Sequence, residues 1–160
     1  MQCTHGRGQA LVEFALVFPL IVLILFGVFD LGRAIYAYNT IGNAARLGAR
    51  IAAVNQIAES LGGDCNASRP VEDPLDAHWS IKTCAAASAV SLGVQTSDVS
   101  VSYSAPPGTS LTCGSPLHVG CIASVTVSHT YRPMTPGISL LVPTIAMAST
   151  SKVPIERTFP

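Results

Sequence analysis

From Ala15 to Phe29 the chain carries neither a charged nor a hydroxyl side chain, and Glu13 is the only intruder in the twenty positions from Ala10. A helix of that length matches the hydrocarbon thickness of a bilayer. His5 and Arg7 precede the run and Asp30 closes it, a charge order that predicts a cytoplasmic N-terminus and an exported remainder. A cleaved secretory signal fits less well. No small-x-small cleavage site follows Phe29, and the pattern continues as helix through DLGRAIYAYN.

Beyond Asp30 the helical period persists to about Ser60, with abundant alanine and no proline. Asn39, Asn43, Arg46 and Arg50 cluster on one face of the wheel, and Ala34, Ala37, Ile41, Ala45, Gly48 and Ala52 lie opposite. Small side chains let another element approach closely. That element is either the chain's own globular part or the helix of another subunit. Pro19 and Gly27 sit inside the apolar part, where proline removes one ladder hydrogen bond.

Leu61-Gly62-Gly63 reads as the end of the long helix. Asp73-Pro74 then offers an N-cap with proline at the first helical position. A second helix of about five turns follows, with Leu75, Trp79, Thr83, Ala86 and Val90 on one face and Gly93 as its stop. Trp79 reads as a core anchor. After Gln95 the period changes to two. Val99, Val101 and Tyr103 alternate with serines, and Val125, Val127, His129 and Tyr131 alternate with Ser124, Thr126, Ser128 and Thr130. A third strand is expected from Ile145 to Lys152, after the turn residues Pro133, Pro136 and Gly137. The fold class is α+β: a long N-terminal helix, a shorter one and a small antiparallel sheet of about three strands.

Composition narrows the function. Hydrophobic residues make up 49% and charged ones 11% of the 160 positions, with nine basic against nine acidic side chains. That balance leaves no basic footprint for nucleic acid. Of five cysteines, Cys3 precedes the apolar run, while Cys65, Cys84, Cys113 and Cys121 follow it. Outside a membrane such an even set forms disulfides. Short loops close most readily, which favours Cys65–Cys84 and Cys113–Cys121. No cysteine or histidine spacing suits a metal. His78, His118 and His129 lack the serine elbow, HExxH helix, phosphate loop or paired carboxylates that would make them catalytic. Asn66-Ala67-Ser68 is a glycosylation sequon relevant only in a eukaryotic secretory pathway. The chain reads as neither an enzyme nor a cofactor binder.

Glu13 remains. A carboxylate in a bilayer costs about 2.5–3.5 kcal/mol on insertion scales and normally has a partner. Cleavage after Gly8 would create an α-amino group on Gln9, four residues from Glu13 and therefore on the same helix face. The same amine could meet Glu13 of an adjacent subunit, which would set register in a helical assembly.

These residues resemble a class III signal: a short basic leader ending in glycine, a glutamate at mature position five, then an apolar helix. The wider string from Gly8 to about Ala53, with GQALVEFAL, Pro19, FDLGRA and NAARLGAR as its distinctive parts, resembles the TadE-like family of pseudopilins, membrane-anchored minor components of tight-adherence (Tad/Flp, type IVc) pili. The closing ASTSKVPIE is similar to that family's last strand. The resemblance implies a pilin-like fold in four parts: a leader (1–8), a transmembrane helix (9–29), its extracytoplasmic continuation (30–60) and a globular α+β region (61–160). It implies cleavage between Gly8 and Gln9 by a prepilin peptidase and residence in the bacterial cytoplasmic membrane. Implied partners are other Tad pseudopilins and pilins, an inner-membrane assembly platform and the lipid bilayer. Phe14 stands where major Flp pilins carry tyrosine, and the chain is much longer than theirs, so a minor subunit is implied. TadF-like and TadG-like proteins share the anchor style. The competing function is an unprocessed, membrane-anchored adhesin or binding domain.

Overall fold

The structure is a computed structural model that describes residues 6–54, 77–113, 119–135 and 143–156. The expected helix end at Leu61–Gly63, the Asp73–Pro74 cap, the sequon, Cys3, Cys65, His118 and the turn residues Pro136 and Gly137 lie outside these residues. So do the side chains of His78 and Trp79. In chain order the elements are α1 (Gly6–Val54), α2 (Ala77–Ser88), β1 (Val99–Ser104), β2 (Ile122–Tyr131) and β3 (Ile145–Pro154). The expected α+β class is the observed one. The three strands form one antiparallel sheet in the order β1-β2-β3.

The chain divides into two units, one of Met1–Tyr36 with Tyr131–Ile145, the other of Ala37–Thr130 with Ala146–Pro160. Helix α1 runs unbroken for 49 residues through Pro19. Its leucines and alanines favour helix, and the proline forfeits one ladder bond without ending it.

The core of the second unit forms where α1 meets α2 and the inner face of the sheet. Ile41, Ala44, Ala45, Ala49 and Ala52 on α1 pack with Ile81, Cys84, Ala85 and Ala89 and with Val99, Ala123, Val125 and Val127. Of the two readings of the small-residue stripe, packing on the chain's own globular part is the one observed. The polar face is also as expected: Asn39, Asn43, Arg46 and Arg50 are exposed, and the Arg46 guanidinium donates to Asn43 Oδ1 at 3.2 Å. Gly48 explains why the stripe is small. A Cβ built there would lie 2.9 Å from Val125 Cγ1 and 3.3 Å from Ala85 Cβ, closer than van der Waals contact allows. Only glycine lets helix and sheet meet at this distance.

The β1/β2 register pairs Val99 with Val127, Val101 with Val125 and Tyr103 with Ala123, so the alternating valines share the buried face. On the opposite face the Thr126 and Thr150 hydroxyls lie 2.7 Å apart. Strand β3 continues two residues past the expected end. The chain then turns into the core at Ile155, whose N–H donates to the Cys121 carbonyl and whose carbonyl accepts from Gly120. The next amide, that of Glu156, donates to the Ala53 carbonyl, satisfying one of the acceptors a helix leaves open in its last turn.

The second helix departs from expectation at its C-terminus. It stops at Ser88, whose hydroxyl donates back to the Ala85 carbonyl at 2.8 Å, and a short 3₁₀ turn, Val90–Leu92, reaches Gly93 in the left-handed region at φ 71°. The tighter turn breaks the 100° progression, so Val90 is exposed and the buried face centres on Ile81, Cys84, Ala85 and Ala89. An α-period extended past Ser88 puts Val90 on the wrong side.

Candidate functional site

Within the first unit, α1 exposes nearly every large apolar side chain it carries. Leu11, Phe14, Leu16, Phe18, Leu20, Leu23, Ile24, Phe26 and Phe29 are all exposed, Leu16 at 77%. The Phe14 and Phe18 rings, one turn apart, have centroids separated by 5.4 Å. A water-soluble helix would bury such a face. By length and composition this helix is able to cross a membrane.

Gly8, Gln9 and Glu13 lie on the first turns of this segment and are exposed. A Cβ at Gly8 would meet no atom within 4 Å, so no packing requirement explains the glycine. Gln9 and Glu13 are four residues apart on continuous helix, the spacing at which two groups share a face.

The other end of the apolar run holds a constellation that sequence reasoning missed. Asp30 is buried although it lies between the exposed Phe29 and Leu31. The segment following β2 supplies its partners. Thr135 donates its N–H and its hydroxyl to Oδ2 at 2.9 and 2.6 Å, and the Met134 N–H donates to Oδ1 at 3.0 Å. The Tyr131 hydroxyl donates to the Asp30 backbone carbonyl at 2.8 Å and lies 3.4 Å from Oδ1. These donors, the Thr135 hydroxyl foremost, lower the Asp30 pKa from 3.8 to about 2. Burial, then the neighbouring Asp30 charge, push the Tyr131 phenol above its ordinary value. The Arg33 guanidinium lies 5.8 Å from the Tyr131 ring centroid, over its face. Residues 131–135 thus form a strap fastened to α1 at the first residue after the apolar run. The side chains alternate along it: Tyr131, Pro133 and Thr135 are buried, Arg132 and Met134 exposed.

Cys113 and Cys121 are bonded, with Cα atoms 5.8 Å apart, and close the loop between β1 and β2. Cys84 is buried in the core and disulfide-bonded; Cys65, its expected partner, lies outside the described residues. His129 is half-buried on β2 beside an open groove of about 370 Å³ that Asp98, Ser128 and Met147 also line. The Ser128 hydroxyl is engaged there, donating to the Asp98 carbonyl at 2.9 Å. Among the described residues no group of three His, Cys, Asp or Glu side chains is placed to hold a metal.

The apolar run, the exposed glycine–glutamate pair and the Asp30 end all fall in one segment, and a family comparison selects the same one. Residues 8–50 match the model of the TadE-like proteins. The match begins at Gly8 itself and ends two residues past the tightly packed Gly48. The TadE-like segment thus takes in the exposed apolar run and most of the small-residue stripe, while α2 and the sheet lie beyond it. No curated protein and no solved structure matches the chain.

Proposed function

We propose that this protein is a minor pilin-like subunit of a tight-adherence pilus, held in the cytoplasmic membrane by residues 9–29 and released for assembly after cleavage between Gly8 and Gln9. The observation that carries the reading is the TadE-like match beginning at Gly8, on a helix that leaves its apolar half uncovered. In lipid that half is solvated by acyl chains; in a filament the same surface packs on the helices of neighbouring subunits. Glu13 then serves as a register mark. Its carboxylate is tolerated in the membrane only when paired, and the new Gln9 amine, on the same or an adjacent subunit, is the cation within reach. A prepilin peptidase, an assembly platform and other pilins are the partners this role requires. The second unit, Ala37–Thr130 with Ala146–Pro160, is the head; braced by its disulfides, it supplies the surface-contacting part.

The mature chain is expected to begin at Gln9 by intact mass, and Gly8→Ala to leave it full length and unassembled. A wild-type chain that retains Met1 in its membrane would overturn the reading in favour of an unprocessed anchored domain. Glu13→Ala should insert at least as well as wild type yet fail to assemble, and normal piliation in that variant would remove the register role.

A further inference from the structure

The strap at Asp30 leaves two exposed side chains unexplained, Arg132 and Met134. Met134 is 74% exposed, more than most residues of the apolar run, and no aqueous role requires a large thioether there. Its position is fixed from behind. The Met134 N–H is bonded to the carboxylate of Asp30, the residue next to Phe29, where the apolar run stops. Phe29 and Leu31, the chain neighbours of Asp30, are exposed at 71% and 61%. Arg33, one turn further along α1, is exposed, as is Arg132 two residues before Met134. Apolar side chains at the end of a span with arginines just beyond it make the composition of a membrane–water boundary, where apolar groups enter the acyl region and cations meet headgroup phosphates. Among the described residues that meet at the strap, Asp30 is the acidic group that would oppose such a surface. Its carboxylate accepts from three donors of the strap, the Met134 and Thr135 N–H groups and the Thr135 hydroxyl, so its charge is already solvated by protein where water is scarce.

We propose that the strap is a second membrane contact: Met134, held on Asp30 at the end of the apolar run, enters the outer edge of an anionic bilayer, with Arg33 and Arg132 on its headgroups. This rests on the reading of residues 9–29 as a membrane span. Two features argue for lipid as the occupant. The surface is continuous with that span, and its exposed charges are both positive, complementary to anionic phosphates. The strap then sets the depth at which the span ends, because its hydrogen bonds fasten it to Asp30, the first residue after the apolar run.

Depth-dependent quenching tests this on the full-length chain in vesicles. Met134→Trp is made in a Trp79→Phe background, and Leu20→Trp in the same background reports on the span. In phosphatidylcholine vesicles containing about one-third phosphatidylglycerol, the indole at position 134 is expected to emit to the blue of its position in water. Lipids brominated about 5–10 Å below the headgroups should quench it, and lipids brominated near the bilayer centre should quench the indole at position 20. Asp30→Ala, which unfastens the strap, should abolish quenching at position 134 and leave position 20 unaffected. Quenching at position 20 with none at 134 overturns the contact while leaving the span intact. No quenching at either position removes the span reading and this inference with it. Retention of quenching at 134 in Asp30→Ala overturns the strap's placing role. The unmutated protein gives an independent readout. Peroxide should oxidise Met134 several-fold more slowly in the anionic vesicles than in phosphatidylcholine alone, with Met147 as reference; equal rates overturn the preference for anionic headgroups.

Discussion

The two halves of α1 are both rich in apolar residues and use them oppositely. From Leu11 to Phe29 the side chains are large and nearly all exposed; from Ala37 to Ala53 they are mostly small and buried. What separates the halves is size. A helix buried against its own sheet must let backbones approach, so it carries alanine and glycine. One that faces lipid or exchangeable neighbours instead presents leucine, valine and phenylalanine all round.

The largest expected effect breaks that contrast at one residue in each half. Ile41 is fully buried, so Ile41→Ala should cost the head about 2–5 kcal/mol in denaturant unfolding followed by near-UV dichroism. Leu23→Ala, from the exposed half, should leave that transition unmoved. Equal losses would mean that the halves do not differ in packing. A smaller effect sharpens the role of size. Gly48→Val drives a side chain into Val125 and Ala85 and should destabilise by about 1–3 kcal/mol despite removing a helical glycine. Gly42→Ala meets only Ser149 Oγ, at 3.7 Å, and should stabilise by up to about 1 kcal/mol through helix propensity. Melting temperatures moving in opposite directions are the signature.

The smallest effect is local and lies at the junction between the halves. Because the folded-state pKa of Asp30 is lowered, its contribution is complete above the ordinary value of 3.8 and is lost as pH falls through about 2. Exchange protection of the Thr135 amide should therefore hold down to about pH 4 and collapse toward pH 2. Asp30→Asn should flatten that dependence.

Much of this architecture is written in local periodicity. The apolar run, the polar stripe Asn39–Arg50 and the valine alternation of β1 and β2 each repeat at the spacing of one element, so sequence alone resolves them. The Gly8–Glu13 relation is legible for the same reason, being a matter of one helical turn. The Asp30 strap is not. Asp30 reads as a charge closing the apolar run, while its partners lie about a hundred residues away and two of them are backbone N–H groups that any residue supplies. The one hint is a lone aspartate between phenylalanine and leucine, in a chain that places threonine and proline together at 133–136. Val90 falls on the wrong face of a helical wheel because the wheel assumes a continuing α-period, whereas the chain tightens after Ser88.

The seating of Ile155 fixes when this protein can fold. The buried half of α1 is complete by residue 53, yet its core is closed by residue 155, and the Ala53 carbonyl finds its donor at residue 156. During synthesis this core therefore stays unclosed until about a hundred further residues have been made. Its contacts are of long sequence separation, the kind that form slowly. The helix is thus made early and sealed late: the residue that closes its core follows it by about a hundred positions.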